Sequence, residues 1–150
     1  MNQNPKKKEG KLANKEIIVD KIYLKDSTLE TPSSPEQFQY EQPSIEIQMD
    51  CKVGHSLLLP PSYYEVVLDI SVIGKTKENY LYVVNTQYGG LFDLKGYTDE
   101  ERKRAVSVDC PYLLFPYSQR LINDMTTQVG FHPAHIQPIN FEGMYEDTET

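Results

Sequence analysis

One stretch of the chain, residues 110–125, repeats its apolar residues with a helical period and restricts how the rest can fold. Side chains at steps of three and four share one helical face. On this face lie Leu114, Tyr117, Leu121, Met125 and Val129. A second apolar face contains Leu113, Phe115 and Ile122. Because one small sheet cannot cover both faces, the pattern predicts that this helix also packs against another copy of the chain.

The ends of this helix are marked by residues with positional preferences. Asp109 is predicted to be the N-cap, and Pro111 suits the first turn, where its missing N–H would be unpaired anyway. Gly130 is predicted to follow the last turn. Pro116 lies about one turn inside the pattern, so we expect it to kink the helix or to mark its true start.

Four segments before the helix have the alternation that is typical of strands. The predicted strands are 17–28, 44–50, 64–73 and 80–88, and residues 91–95 extend the last one past a bulge at the two glycines. Residues 29–43 contain three prolines and are predicted to form a long crossing loop, and residues 55–62 a second loop. A short helix is expected to begin near Thr98, and Asn140 is expected to cap another over 141–145. Strands followed by helices predict an α+β fold, with a four-stranded antiparallel sheet and helices on one face.

The chain is acidic overall, but its charge is uneven. The net charge is −7, yet residues 1–16 contain five lysines and two glutamates. We expect a disordered basic tail at 1–15, one domain at 16–146 and an acidic tail at 147–150. The acidic body is expected to repel nucleic acid and anionic membranes and to attract basic partners or basic peptides.

No motif of a known enzyme class is present. The pair Gly89-Gly90 lacks the Lys and Ser or Thr of a phosphate loop, and no G-x-S-x-G motif occurs. Two cysteines without a C-x-x-C pattern indicate reduced thiols in a cytoplasmic protein. We expect no signal peptide, no membrane insertion and no cofactor. His132 and His135 form the best metal candidate, although Pro133 between them disturbs the spacing.

Several short segments resemble the SecB family of bacterial protein-export chaperones. They are Lys21–Asp26 (KIYLKD), Tyr64–Leu68 (YEVVL), Gln87–Phe92 (QYGGLF), Cys110–Tyr117 (CPYLLFPY) and Pro138–Phe141 (PINF). They follow the order and spacing of the family across residues 17–145, and QYGGLF and CPYLLFPY together are the most specific. The resemblance implies the fold predicted above and a chaperone that acts without ATP, a holdase and not an enzyme.

The resemblance also implies an assembly and partners. SecB-like proteins are homotetramers, dimers of dimers, whose long helices lie between the sheets of different dimers. They hold unfolded preproteins in hydrophobic grooves and deliver them to the translocation ATPase SecA. The implied client-binding residues are Phe38, Tyr40, Ile45, Ile47, Met49, Phe141, Met144 and Tyr145. The implied SecA-binding residues are Asp26 and Glu30, and the oligomer interface contains Leu114, Tyr117, Leu121 and Met125.

The chain departs from the family pattern at three places. The crossing loop reads YEQP at 40–43 where the family usually has a tryptophan. Val83 and Asn85 replace a leucine and a glutamate that are linked to SecA contact, and Gly143 interrupts the last helix. Two other interpretations stay open. One is a SecB-like chaperone dedicated to a single partner, such as the antitoxin of a toxin–antitoxin pair; the other is a metal-dependent enzyme built on His132 and His135.

Overall fold

The computed structural model describes residues 15–38 and 44–149. Within these ranges the strands are β1 (Glu16–Glu30), β2 (Glu46–Leu59), β3 (Tyr63–Lys75) and β4 (Tyr80–Lys95). The helices are α1 (Asp99–Ser107), α2 (Asp109–Gln128) and α3 (Phe141–Glu149), and a short 3-10 helix covers Glu36–Phe38. The strands form one antiparallel sheet in the order β1-β4-β3-β2. The predicted α+β fold is confirmed, including the connection that carries the chain from one sheet edge to the other.

Two strands differ from the sequence prediction by more than their end residues. β2 continues through the segment that was expected to be a loop from His55, because His55 and Leu57 pair with Val66 and Tyr64 of β3. The turn is therefore confined to residues 60–62. β4 continues through the two glycines to Lys95, and the predicted bulge there is wrong. The irregularities lie in β1, between residues 19 and 21 and between residues 24 and 26.

The helices cover one face of the sheet, which we call the inner face. The core is made by alternate residues of β3 and β4 that point to this face, and its buried members include Val66, Leu68, Ile70, Val72, Tyr82, Val84, Phe92 and Leu94. We call the other side of the sheet the outer face. Among the described residues, no helix is long and apolar enough to cross a membrane.

The side of α2 that is buried within the protomer is a single row of residues. It carries Cys110, Leu114, Ser118, Ile122 and Thr126, which follow one another at steps of four. This is the i±4 ridge through which a helix commonly packs. From the predicted stripe only Leu114 is fully buried, whereas Tyr117 is 47% exposed. The predicted stripe was assigned to an interface with another copy, and the row that packs within the protomer was not predicted because Ser118 and Thr126, two of its members, are small polar residues.

The helix ends follow the sequence signals in part. Thr98 caps α1 through a reciprocal pair with Glu101, in which each side chain accepts a hydrogen bond from the other residue's backbone N–H (3.2 and 2.9 Å). Asp109 is the first residue of α2 and Val108 is its N-cap, so the predicted cap is wrong. α2 is bent and continues through Pro116. α3 begins after Asn140, as predicted, but extends beyond residue 145 through most of the expected acidic tail.

The close approach of α2 to β4 requires a residue without a side chain at position 90. A Cβ on Gly90 would lie 2.5 Å from Phe92 Cε2 and 3.1 Å from Leu114 Cδ2. We expect Gly90→Val to lower the free energy of unfolding by about 1–3 kcal/mol, because both neighbours are fully buried and cannot move aside. The measurement is urea unfolding at one fixed protein concentration.

Gly54→Ala is the matched control, since a Cβ on Gly54 of β2 has nothing within 4 Å. It should change the free energy of unfolding by less than about 0.5 kcal/mol. A Gly90→Val protein as stable as the control would show that α2 can move away from the sheet at little cost.

Candidate functional site

A groove runs along the inner face of β2, the edge strand of the sheet. Its floor is the half-buried or exposed row Ile47, Met49, Cys51, Val53, His55 and Leu57, which alternates along the strand. α2 packs over β3 and β4, while the shorter α1 packs against β2. We call this surface, together with the facing sides of α1 and α3, the β2 groove. Beyond β3, β2 pairs with no other strand among the described residues, so its outer backbone edge is open.

Two adjoining cavities lie at the end of the β2 groove near the β2–β3 turn. The first has a volume of about 530 Å³ and is lined by Lys52, Val53, His55, Lys103, Ser107, Met144, Tyr145 and Thr148. The second, about 440 Å³, is lined by His55, Leu57, Pro61, Tyr64, Asp99, Arg102, Lys103 and Val106. They share His55 and Lys103. Both combine apolar side chains with basic ones.

α3 forms one wall of the groove and is anchored by Phe141. This residue is fully buried, with its ring edge-on to Tyr112 at a centroid distance of 4.9 Å and to Phe115 at 6.4 Å. An ion pair between Arg104 and Glu142 links α1 to the first turn of α3. Phe141 therefore supports the groove from beneath and does not line it.

The other predicted client-binding residues lie on α3, along β2 or near the start of β2. Met144 and Tyr145 line the first cavity. Ile45 and Met49 are half-buried against the core, and Ile47 is 39% exposed. The last two, Phe38 and Tyr40, belong to the crossing connection, and Tyr40 lies outside the described residues.

Phe38 lies at the same end of the sheet as Ile47. It is 49% exposed and stacks on Phe131 with a centroid distance of 5.5 Å. Phe131 also contacts Tyr82 at 5.7 Å, and the Tyr82 ring covers Gly74, the partner of Ile47 in the sheet. An aromatic cluster thus closes the end of the groove opposite the cavities.

The side chains around the groove favour binding and not covalent chemistry. Burial raises the pKa of Cys51 on the floor to about 11 and that of Cys110 to about 12. Both therefore remain neutral thiols at neutral pH, and the thiolate is the nucleophilic form. His132 and His135 are exposed, and no group of three potential metal ligands occurs among the described residues.

Several polar side chains on the outer face are joined by hydrogen bonds. Tyr23 donates to Glu65, and Lys25 forms an ion pair with the same carboxylate at 3.0 Å. These two bonds lower the pKa of Glu65, while burial, followed by the Glu65 contact, raises the pKa of Tyr23 to about 12. Gln87 donates to Asp69 at 3.0 Å. The network links β1, β4 and β3 across the face.

Asp26 and Glu30 both lie on the outer face and are exposed. Their partners on β4 are Gln87 and Val83, and Thr28 between them pairs with Asn85. The register therefore brings the two predicted acids beside the two β4 positions at which the chain departs from the family pattern.

Another apolar surface lies on the side of the molecule away from the β2 groove. On α2, Tyr117 is 47% and Leu113 41% exposed, and on β1, Val19 is 42% and Leu24 43% exposed. The ring of Tyr117 contacts Tyr88 of β4 at 5.8 Å. Of the other residues predicted for an oligomer interface, Leu121 and Met125 are half-buried and Leu114 is fully buried within the protomer.

Comparison with known proteins agrees with these features. The family model described as preprotein translocase subunit SecB matches residues 10–150. The chain belongs to the SecB family. Protein-export protein SecB of Dechloromonas aromatica is 37% identical over 131 residues, covering 85% of this chain and 82% of that protein. The corresponding protein of Burkholderia lata is 36% identical over 129 residues, covering 85% and 79%.

The fold has a solved counterpart in a SecB-like chaperone of Mycobacterium tuberculosis, in complex with a peptide from the HigA1 antitoxin. The TM-score is 0.66 at 13% identity, covering 87% of this chain and 95% of that one. SecB proteins are chaperones and not enzymes, so the predicted family and the predicted lack of enzyme activity are confirmed.

Sequence reasoning missed the basic residues of the groove. Lys52, His55 and Lys103 were not predicted as site residues, because His55 was assigned to a loop and neither lysine was assigned a role. A signal was present, since the alternation of Cys51 and Val53 continues with residues 55 and 57 on the same face. The SecB resemblance alone indicated only the apolar wall of this groove.

Proposed function

We propose that this SecB-family protein is an ATP-independent holdase of the cytoplasm that binds unfolded preproteins in the β2 groove. The half-covered apolar floor beside an open strand edge carries the proposal. An extended segment can pair with the edge of β2 while alternate side chains enter the groove. Clients then need no defined sequence, because backbone pairing and apolar contact are available to most unfolded chains. Several such contacts along one client raise the overall affinity.

Ile47→Asp tests the groove, because it places a charge on the apolar floor near the aromatic cluster. We expect the affinity for an unfolded client to fall about tenfold, or about 1.4 kcal/mol. Protection of a refolding client from aggregation should fall in parallel. The measurements are fluorescence anisotropy with a labelled unfolded client and light scattering of the refolding client, each with and without ATP.

The neighbouring variant Gln48→Asp is the matched control. It introduces the same charge one residue away, on the outer face of β2. It should leave client affinity and protection unchanged. Equal effects of the two variants would contradict the groove, and protection that requires ATP would contradict the holdase.

We propose further that the outer face of β1 and β4 docks SecA. Support comes from the family and from the register that places Asp26 and Glu30 on one exposed surface beside residues 83 and 85. Exposed carboxylates of this kind attract a basic partner and act mainly on the association rate. The neutral side chain of Asn85 makes the patch less acidic than the family pattern.

Charge reversal at Asp26 and Glu30, both to Lys, tests this docking surface. The association rate with SecA should fall severalfold at low salt, and the difference should shrink at high salt. Surface plasmon resonance at two salt concentrations measures it. The control is Glu36→Lys with Glu100→Lys, which reverses two exposed acids outside the patch. If both double variants bind SecA like the parent, docking does not use this face.

The assembly that we propose is a homotetramer, a dimer of dimers. The exposed apolar residues of α2 and β1 form a patch of a kind that monomeric proteins seldom leave in water. Together with the half-buried Leu121 and Met125 at its margin, this patch is suited to pack against another copy through a closed two-fold contact.

Light scattering should give about four times the protomer mass of 17.3 kDa. Tyr117→Glu should shift the protein to smaller species, because a buried, unpaired charge costs several kcal/mol. Gln128→Glu adds one negative charge at an exposed polar position of the same helix and should keep the parent mass. A parent protein that is monomeric at micromolar concentration would contradict the assembly.

A second candidate is a chaperone dedicated to one partner. It is favoured by the Mycobacterium tuberculosis neighbour, which holds an antitoxin peptide, and by the altered β4 positions beside Asp26 and Glu30. Pull-down of the polypeptides bound to the protein in the cytosol of its source organism distinguishes a general export chaperone from a dedicated one. Recovery of many different unfolded preproteins supports the export function. Recovery of one protein in a fixed ratio to the chaperone supports the dedicated role.

A further inference from the structure

An exposed apolar surface covers the end of β2 and the turn that follows it. Leu57 and Leu58 are each 47% exposed, and Leu59 is 64% exposed. Pro60 and Pro61 come next and are also exposed. We call these five residues the leucine tip. Residues 56–62 contain no charged side chain, so the tip itself is uncharged.

The leucine tip carries apolar surface from the β2 groove around the edge of the sheet. Leu57 is opposite Tyr64 on the inner face, whereas Leu59 is opposite Tyr63 on the outer face. Because paired residues lie on the same face of a sheet, these two leucines lie on opposite faces. Leu58 between them is left outside the register with β3. A chain that leaves the groove at this end therefore passes over apolar side chains.

Charged groups surround the leucine tip, but none belongs to it. On the outer face beside it, Asp93 accepts a hydrogen bond from Ser62 at 2.7 Å. Asp20 accepts one from Tyr63 at 2.5 Å. On the inner face, the second cavity has charged lining residues of both signs, Asp99, Arg102 and Lys103. What the side chains of the tip themselves offer to a partner is apolar contact alone.

The leucine tip is too small to hold a partner protein by itself. A stable interface takes about 20–30 residues from each partner, several times the size of the tip. The tip suits a chain that is already bound beside it, because a second contact with a tethered chain benefits from a high effective concentration. Leu57 belongs both to the tip and to the floor of the β2 groove. A client held in the groove is therefore such a chain.

The kind of contact changes between the groove and the leucine tip. Pairing with the edge of β2 makes the side chains of a client alternate between two faces. Pro60 and Pro61 have no backbone N–H and cannot continue such pairing. The three consecutive leucines before them offer apolar contact on both faces of the strand. The tip therefore fits consecutive apolar side chains better than alternating ones.

We propose that the leucine tip is a second client subsite, which takes a cluster of consecutive bulky apolar side chains next to the segment held in the β2 groove. The inference rests on the proposed client binding and assigns it a substrate class. The groove accepts an alternating segment from most unfolded chains. Clients in which such a segment adjoins an apolar cluster make both contacts and bind more tightly.

The test uses labelled peptides that share a segment of about eleven residues, which extends to about 36 Å, with leucine alternating with glutamine. Three further leucines follow this segment in one peptide and precede it in another, because an added strand can run in either direction along β2. In the matched peptides these three residues are serines. Anisotropy titration of the full-length protein should show about a threefold to tenfold gain from the leucine cluster in at least one direction. The gain should persist from about 0.1 M to about 1 M salt, because salt screens charges and not apolar contacts.

The double variant Leu58→Ser with Leu59→Ser should abolish this gain. It should keep the affinity for the serine peptides within about twofold, because both side chains are exposed. Tyr80→Ser is the control, since it removes a side chain that is 55% exposed at the opposite end of the sheet. This control should show the same gain as the parent.

An equal gain in the double variant and the parent, or no gain in the parent, overturns the inference and leaves groove binding standing. Two other occupants would also overturn it. A smaller mass of the double variant in light scattering would assign the leucine tip to contact between copies. Sedimentation of the parent, but not of the double variant, with phosphatidylglycerol vesicles would assign it to lipid. If neither the peptides nor an unfolded client binds, the proposed function fails together with the inference.

Discussion

The structure depends on the difference in width between a four-stranded sheet and one long helix. Strands lie about 4.8 Å apart, so the sheet is about 15 Å across between its outer strand axes, whereas a helix with its side chains is about 10 Å wide. α2 packs over the two central strands, where Gly90 permits its closest approach to β4. The inner faces of both edge strands are therefore left half-covered. On β2 the result is a groove, and on β1 it is the exposed pair Val19 and Leu24.

The two faces of the sheet differ in their side chains because helices pack only on the inner one among the described residues. The inner face must bury apolar area, and it does so with largely apolar rows on β3 and β4. Among the described residues no layer covers the outer face, and several of its polar side chains bond to each other across strands, as those of Tyr23, Lys25 and Glu65 do. A surface held in this way is flat and charged, which suits docking of a folded partner. The groove, with its open backbone edge, suits an extended chain.

The sequence predicted the features that depend on local chemistry. Strand alternation, the three-proline connection, Thr98 and Asn140 all act within a few residues, and the structure has them nearly as expected. What it did not predict depends on contacts between distant segments. His55 and Leu57 belong to a strand only because Val66 and Tyr64 lie opposite. The same limit applies to the site, since Phe141 is apolar and near the expected groove, yet its position under Tyr112 is decided by how α3 docks.

A long, open, apolar edge strand is normally an aggregation hazard, and β2 carries several features that reduce it. Charged and polar side chains interrupt its apolar row, with Lys52 at the edge, and the register shifts between Leu57 and Leu59 just before two prolines end the strand. Such features hinder pairing with another copy of the same edge. Lys52 in particular places like charges together when two copies approach. The edge with which an extended client would pair is thus disfavoured from pairing with itself.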